Sequence, residues 1–83
     1  MTKRTKRETL VDMLEVLAAR PRKPTHLLYK ANLSHPRMKK LLAELEESEL
    51  VLVTDDEIAI TDKGLKFLHE YRQAQTLFDS FGI

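Results

Sequence analysis

The stretch Ser34-His35-Pro36-Arg37-Met38-Lys39-Lys40 holds the residues of this 83-residue chain best suited to chemistry with a partner. Three cations within four positions can neutralise phosphates, and each phosphate neutralised releases condensed counterions. Arg37 also carries a planar fork that meets two acceptors of guanine at once, whereas Lys39 and Lys40 are point charges better suited to a phosphate backbone. His35 is placed to reach a base or a phosphate, and Ser34 is a residue type that caps helices.

Other chemistries find little support. The chain has no cysteine, and His26, His35 and His69 lack a spacing that would gather them on one ion, so neither metal nor cofactor is expected. Ser34 is followed by His35, yet adjacency in sequence is not triad geometry, and capping already accounts for the serine. The only glycines are Gly64 and Gly82, which excludes a glycine-rich phosphate loop. No catalysis is expected.

The placement of charge sharpens the case for a polyanion. Arg37, Lys39 and Lys40 open a segment that closes with Glu44, Glu46, Glu47 and Glu49. A helix with this layout opposes its own dipole and forgoes about 0.3 to 1 kcal/mol for each misplaced charge. A helix that enters the major groove by its N-terminal end has reason to do so, because its far end rises into solvent. From Met1 to Lys40, eleven Lys or Arg stand against Glu8, Asp12 and Glu15; from Leu41 onward, Lys63, Lys66 and Arg72 stand against ten acids. Behind the net charge of +1 lies a split that reads as one surface suited to a polyanion and another suited to avoiding it, or alternatively as two ordinary solvated faces.

The elements that must hold these residues follow from periodicity. Eighty-three residues, 42% of them apolar, make one small domain over 1–83 with a modest core. The longest apolar runs, four residues each as in Leu50 to Val53, are far too short to span a bilayer. "MTKRTKRE" is basic without the apolar core of a signal peptide, so an intracellular, cytoplasmic protein is expected, with residues 1–5 as a flexible basic arm. Thr5 and Glu8 form a capping-box pair, and Leu10, Met13, Leu14 and Leu17 carry a helix over about 6–20, stopped by Pro21. After the basic connector "RPRKP", Thr25 is a candidate N-cap for a short helix over 26–31. Asn32 suits the left-handed residue of a tight turn.

Ser34 then caps a third helix whose buried stripe is Met38, Leu41, Leu42 and Leu45, which turns Pro36 and Lys40 outward with Arg37 and Lys39 flanking. "LVLVT" and "EIAIT" read as an antiparallel hairpin, with Leu50 and Leu52 on one face and Ile58 and Ile60 on one face. Thr61 caps a last helix expected to reach Ser80. Leu65 and Leu68 face the domain, while Phe67, Tyr71, Ala74, Phe78 and Phe81 recur at spacings of 4, 3, 4 and 3, as in a helix-packing seam. Two outcomes are open for that seam: a tail folded back on its own subunit, or a homodimer contact. The fold class is mainly α with a small β-hairpin, order α-α-α-β-β-α with an extended C-terminal helix. This is the winged helix-turn-helix order.

"KPTHLLYKANLSHPRMKKLLAELEESELV" followed by "ITDKGLKFLHEYR" resembles the small archaeal winged helix-turn-helix proteins described as transcriptional regulators. The resemblance runs from about Lys6 to the final "FGI". It implies that the helix after the turn reads double-stranded DNA, placing Ser34, His35, Arg37, Lys39 and Lys40 on the DNA-facing side with Tyr29 and Lys30 nearby. It also implies association through the last helix, with Phe67, Tyr71, Ala74, Phe78 and Phe81 at a homodimer contact and 72–83 as the dimerisation extension. One departure stands out: Asp55, Asp56 and Glu57 make the wing acidic where many DNA-binding relatives are basic, so it is not expected to grip phosphate. The rival function is a winged-helix module that binds protein rather than DNA.

Overall fold

Thr5 starts the first helix with two reciprocal bonds. The Glu8 N–H donates to the Thr5 hydroxyl at 3.1 Å, and the Thr5 N–H donates to Oε1 of Glu8 at 3.1 Å. The backbone bond from Thr5, followed by its side-chain bond, holds the Glu8 carboxyl below the usual carboxylate range. In the computed structural model, which describes residues 4–82, the elements are α1 (Lys6–Ala19), α2 (Pro24–Lys30), α3 (His35–Glu47), β1 (Val51–Val53), β2 (Ile58–Ile60) and α4 (Asp62–Ser80). This is the expected order. No helix among the described residues is long and apolar enough to cross a membrane.

The strands pair antiparallel with Val51 opposite Ile60, Leu52 opposite Ala59 and Val53 opposite Ile58. Their turn is closed by Thr54, whose hydroxyl donates to the Glu57 carbonyl and accepts from the Glu57 N–H. The connector adds a third edge: the Arg22 N–H donates to the Ile58 carbonyl at 2.9 Å, and the Ile58 N–H donates to the Arg22 carbonyl at 2.8 Å. Met13, Leu14 and Leu17 of α1, Leu27 of α2, Met38 and Leu41 of α3, Ile58 and Leu68 are all but fully enclosed in one core. The α1 stripe at helical spacing thus meets the stripes of α2, α3 and α4 around the hairpin.

Several expectations need correction. The short helix begins at Pro24, not His26, and its cap is Lys23 rather than Thr25, with no side-chain bond. Proline supplies the reason, since its fixed φ suits the first helical position and it has no N–H to leave unsatisfied. Leu52 points to solvent while Val51 is buried and Leu50 half-buried, so Leu50 and Leu52 do not share a buried face. Glu49 adopts a left-handed φ of 64° in the turn between α3 and β1, and Leu50 precedes the strand, which begins at Val51. Asn32, with φ 56°, takes the left-handed turn expected of it.

On α4 the inward residues are Gly64 and Leu68, whereas Leu65 remains 44% exposed. Gly64 makes this possible: a Cβ there would lie 2.3 Å from the Leu50 carbonyl oxygen and 2.6 Å from Cγ1 of Ile60. The helix therefore seats its backbone, not Leu65, against the hairpin. Of the basic arm, residues 1–3 lie outside the described residues. Arg4 does not hang free; its guanidinium pairs with Asp12 and donates to the Ala31 carbonyl at 2.7 Å, tying the arm to α1 and to the end of α2.

Candidate nucleic-acid interface

The Ser34 hydroxyl accepts a bond from the Arg37 N–H at 3.4 Å, and Pro36 occupies the first turn, so α3 begins where the sequence places its start. Met38, Leu41, Leu42 and Leu45 anchor one side of α3 in the core. That anchoring fixes the opposite side. His35, Pro36, Arg37, Lys39 and Lys40 are all exposed, and no carboxylate lies within ion-pair distance of Arg37, Lys39 or Lys40 among the described residues.

The contrast with the other cations matters here. Arg4 pairs with Asp12, Lys6 with Glu44 at 2.6 Å, and Arg72 with Glu15 at 3.8 Å, each bracing one element on another. The α3 cations do no such internal work. Glu46 and Glu47 are exposed two turns further along, so the helix presents a positive leading end and a negative trailing end. Ala43 shares the outer face with Pro36 and Lys40 and is also exposed. Its short side chain leaves the helix backbone open to close approach at that face, a feature visible on a helical wheel but not singled out from the sequence.

A second basic group sits across the Asn32 turn. Tyr29 and Lys30 of α2 line a shallow depression with Arg20, Arg22 and His26. Tyr29 is 75% exposed, which rules it out as a core residue and leaves both ring and hydroxyl accessible. The Arg22 bridge to Ile58 is what draws the connector into this group, a long-range pairing with no signal in the local sequence. The wing tip, Asp55 to Glu57, is exposed, and Glu57 borders the connector cations Arg20, Arg22 and Lys23.

The seam on α4 divides. Phe67, Ala74, Phe78 and Phe81 are exposed, as is Leu77, which the 4-3-4-3 spacing did not include. Tyr71 departs from the expectation of a free seam residue: it is half-buried and packs on its own core beside α1. From Arg72 to Gly82 every residue is exposed, because α4 outruns the body of the domain. Among the described residues no three His, Asp or Glu side chains lie together as they would to hold a metal ion.

The sequence pattern of the winged helix-turn-helix family matches residues 3–78 of the chain. No curated protein sequence matches it. Among solved structures, the transcriptional regulator BldR from Sulfolobus solfataricus is similar, with a TM-score of 0.74 and 20% identity over 88% of this chain and 58% of that one. ZitR from Lactococcus lactis, a zinc-responsive MarR family member, is similar with a TM-score of 0.68 and 22% identity over 98% of this chain and 62% of that one. ZitR in complex with DNA gives a TM-score of 0.67 at 22% identity, again over 98% and 62%. This chain therefore spans less than two thirds of the length of these structures, and at such identities the likeness is one of fold.

Proposed function

This chain belongs to the winged helix-turn-helix family, and from that premise we propose that it binds double-stranded DNA as a transcriptional regulator in the cytoplasm, without enzymatic activity. The leading turns of α3 enter the major groove, Arg37 reads base edges, and Lys39 and Lys40 hold phosphates. Ser34, His35, Tyr29 and Lys30 contact the flanking backbone. The observation that carries this reading is a set of three exposed cations, none engaged with a carboxylate among the described residues, at the end of a helix whose other side is locked in the core. The solved complex of ZitR with DNA supports it by likeness of fold.

The protein acts as a homodimer through residues 72–83 and the Phe67, Tyr71, Ala74, Phe78 and Phe81 side of α4. An exposed run of Leu77, Phe78 and Phe81 on a helix with nothing beneath it supports this assembly. Two-fold symmetry would then present two α3 helices to half-sites about one DNA turn, ~34 Å, or a multiple of it, apart. The acidic wing favours a second reading, a protein-interaction module in which α3 meets an acidic protein.

Titration of fluorescent duplexes of mixed sequence at several salt concentrations separates the two. Salt-sensitive binding is expected; a wild-type protein with no such affinity for any duplex leaves the interaction module. Light scattering on a chain carrying Phe78→Asp and Phe81→Asp tests the dimer, since a mass unchanged from wild type removes these residues from the contact.

A further inference from the structure

A groove of about 320 Å³ opens between the first turns of α1, the end of α3 and the start of α4. Its walls are largely apolar, from Leu10, Leu14, Leu45, Leu50 and Phe67. Lys6 and Arg7, both exposed, stand at its rim. We propose that this groove receives the last turn of α4 from a second copy of the chain, with Phe81 as the inserted side chain and a two-fold axis passing beside Ala74. The inference rests on the homodimer reading above and adds to it a register and a receiving site.

Register is the first support. Phe67, 41% exposed, is both a wall of the groove and the first residue of the exposed α4 seam. Phe67 lies as far before Ala74 in the chain as Phe81 lies after it, and Tyr71 and Leu77 flank Ala74 in the same way. An antiparallel pairing about Ala74 therefore sets Phe81 of the partner subunit against Phe67 and its groove, and Leu77 of the partner subunit against Tyr71. Two-fold symmetry makes both contacts twice. The small side chain at Ala74 allows close approach of the two helices at the axis.

Charge is the second support. Lys6 is engaged by Glu44 at 2.6 Å, while Arg7 has no carboxylate within ion-pair distance among the described residues. The incoming turn brings Asp79 and the negative end of a 19-residue helix to that rim. Exposure is the third: Phe81 is 71% and Phe78 54% exposed in the single chain, so the occupant is available and has no seat of its own. Because Leu45 of α3 and Ser48, the residue that caps its end, line the groove, the same contact would brace the helix that carries Arg37, Lys39 and Lys40 from its far end.

The chain has no cysteine, so introduced thiols are the only ones present. Ala74, Ser48 and Phe81 are exposed, and replacing them leaves the core intact. Under mild oxidation, Ala74→Cys is expected to give a covalent dimer on a non-reducing gel. A mixture of Ser48→Cys chains with Phe81→Cys chains is expected to give a cross-link that neither gives alone. A dimeric wild type by light scattering, with the Ala74→Cys cross-link but no mixed one, overturns the groove contact and leaves the dimer standing. A dimeric wild type in which Ala74→Cys stays unlinked overturns the register. If a chain carrying both Ser48→Cys and Phe81→Cys oxidises at single-chain mass, its own tail fills the groove and the proposal fails. A monomeric wild type at all concentrations removes the inference and the dimer reading together.

Discussion

Replacing Lys40 by alanine should change how DNA binding responds to salt more than it changes the protein. Lys40 is exposed on α3 and opposite the buried stripe of Met38, Leu41, Leu42 and Leu45. Three cations on the proposed surface are assigned to phosphates, Lys30, Lys39 and Lys40, and have no carboxylate within ion-pair distance among the described residues. If each neutralises one phosphate, the slope of log affinity against log salt is about −2.7 per protomer and about −5.4 per dimer. Between 50 and 200 mM salt the dimer then loses on the order of 10³ in affinity. Lys40→Ala removes two contacts per dimer and flattens the slope by about 1.8, so the same salt step costs the variant only on the order of 10².

Stability should not fall, since alanine is the better helix former and a cation is removed from the positive half of the helix. Fluorescence anisotropy on a labelled duplex over that salt range measures the slopes, and circular dichroism confirms the fold. Glu47→Gln serves as the control: it lies on the same outer face about 10 Å further along the axis, where the proposed docking leaves it in solvent. An unchanged slope in Lys40→Ala refutes the reasoning. So does a Glu47→Gln effect as large as that of Lys40→Ala, because the protein's overall field would then matter and the groove would not.

Gly64→Ala should destabilise the fold by about 1 to 3 kcal/mol, since the new methyl meets the Leu50 carbonyl at 2.3 Å and α4 must lift from the hairpin; urea unfolding measures it, and an unchanged midpoint would mean that α4 is not seated there. Glu49→Gly should leave stability level or raise it by up to about 1 kcal/mol, because glycine relieves the left-handed φ of 64°; a loss like that of a mid-helix glycine would show that the turn is helical in solution. The lowered Glu8 carboxyl contributes stability above its unfolded range, and that contribution is lost as pH falls through the folded value. Urea midpoints between about pH 5 and pH 3 should therefore fall less in Glu8→Gln than in wild type, and parallel pH profiles would count against the capping bond to Thr5.

Element order, the caps at Thr5, Ser34 and Thr61, and the outward display of Arg37, Lys39 and Lys40 were legible in the chain alone. Each depends on neighbours within one or two helical turns, where spacing dictates geometry. Long-range contacts decided the rest. Nothing near Arg22 announces that it will pair with Ile58, and that pairing draws the connector cations toward Tyr29 and Lys30. Periodicity marked Leu65 as an inward residue, yet the approach of Gly64 to the Leu50 carbonyl rotates α4 so that Leu65 stays partly in solvent. Arg4 reads as a loose positive charge until α1 and α2 fold together to supply Asp12 and the Ala31 carbonyl. Local sequence thus determined which way each α3 side chain points. Only packing between distant segments decided which charges remain free to meet a partner, because an ion pair needs both groups brought to one place.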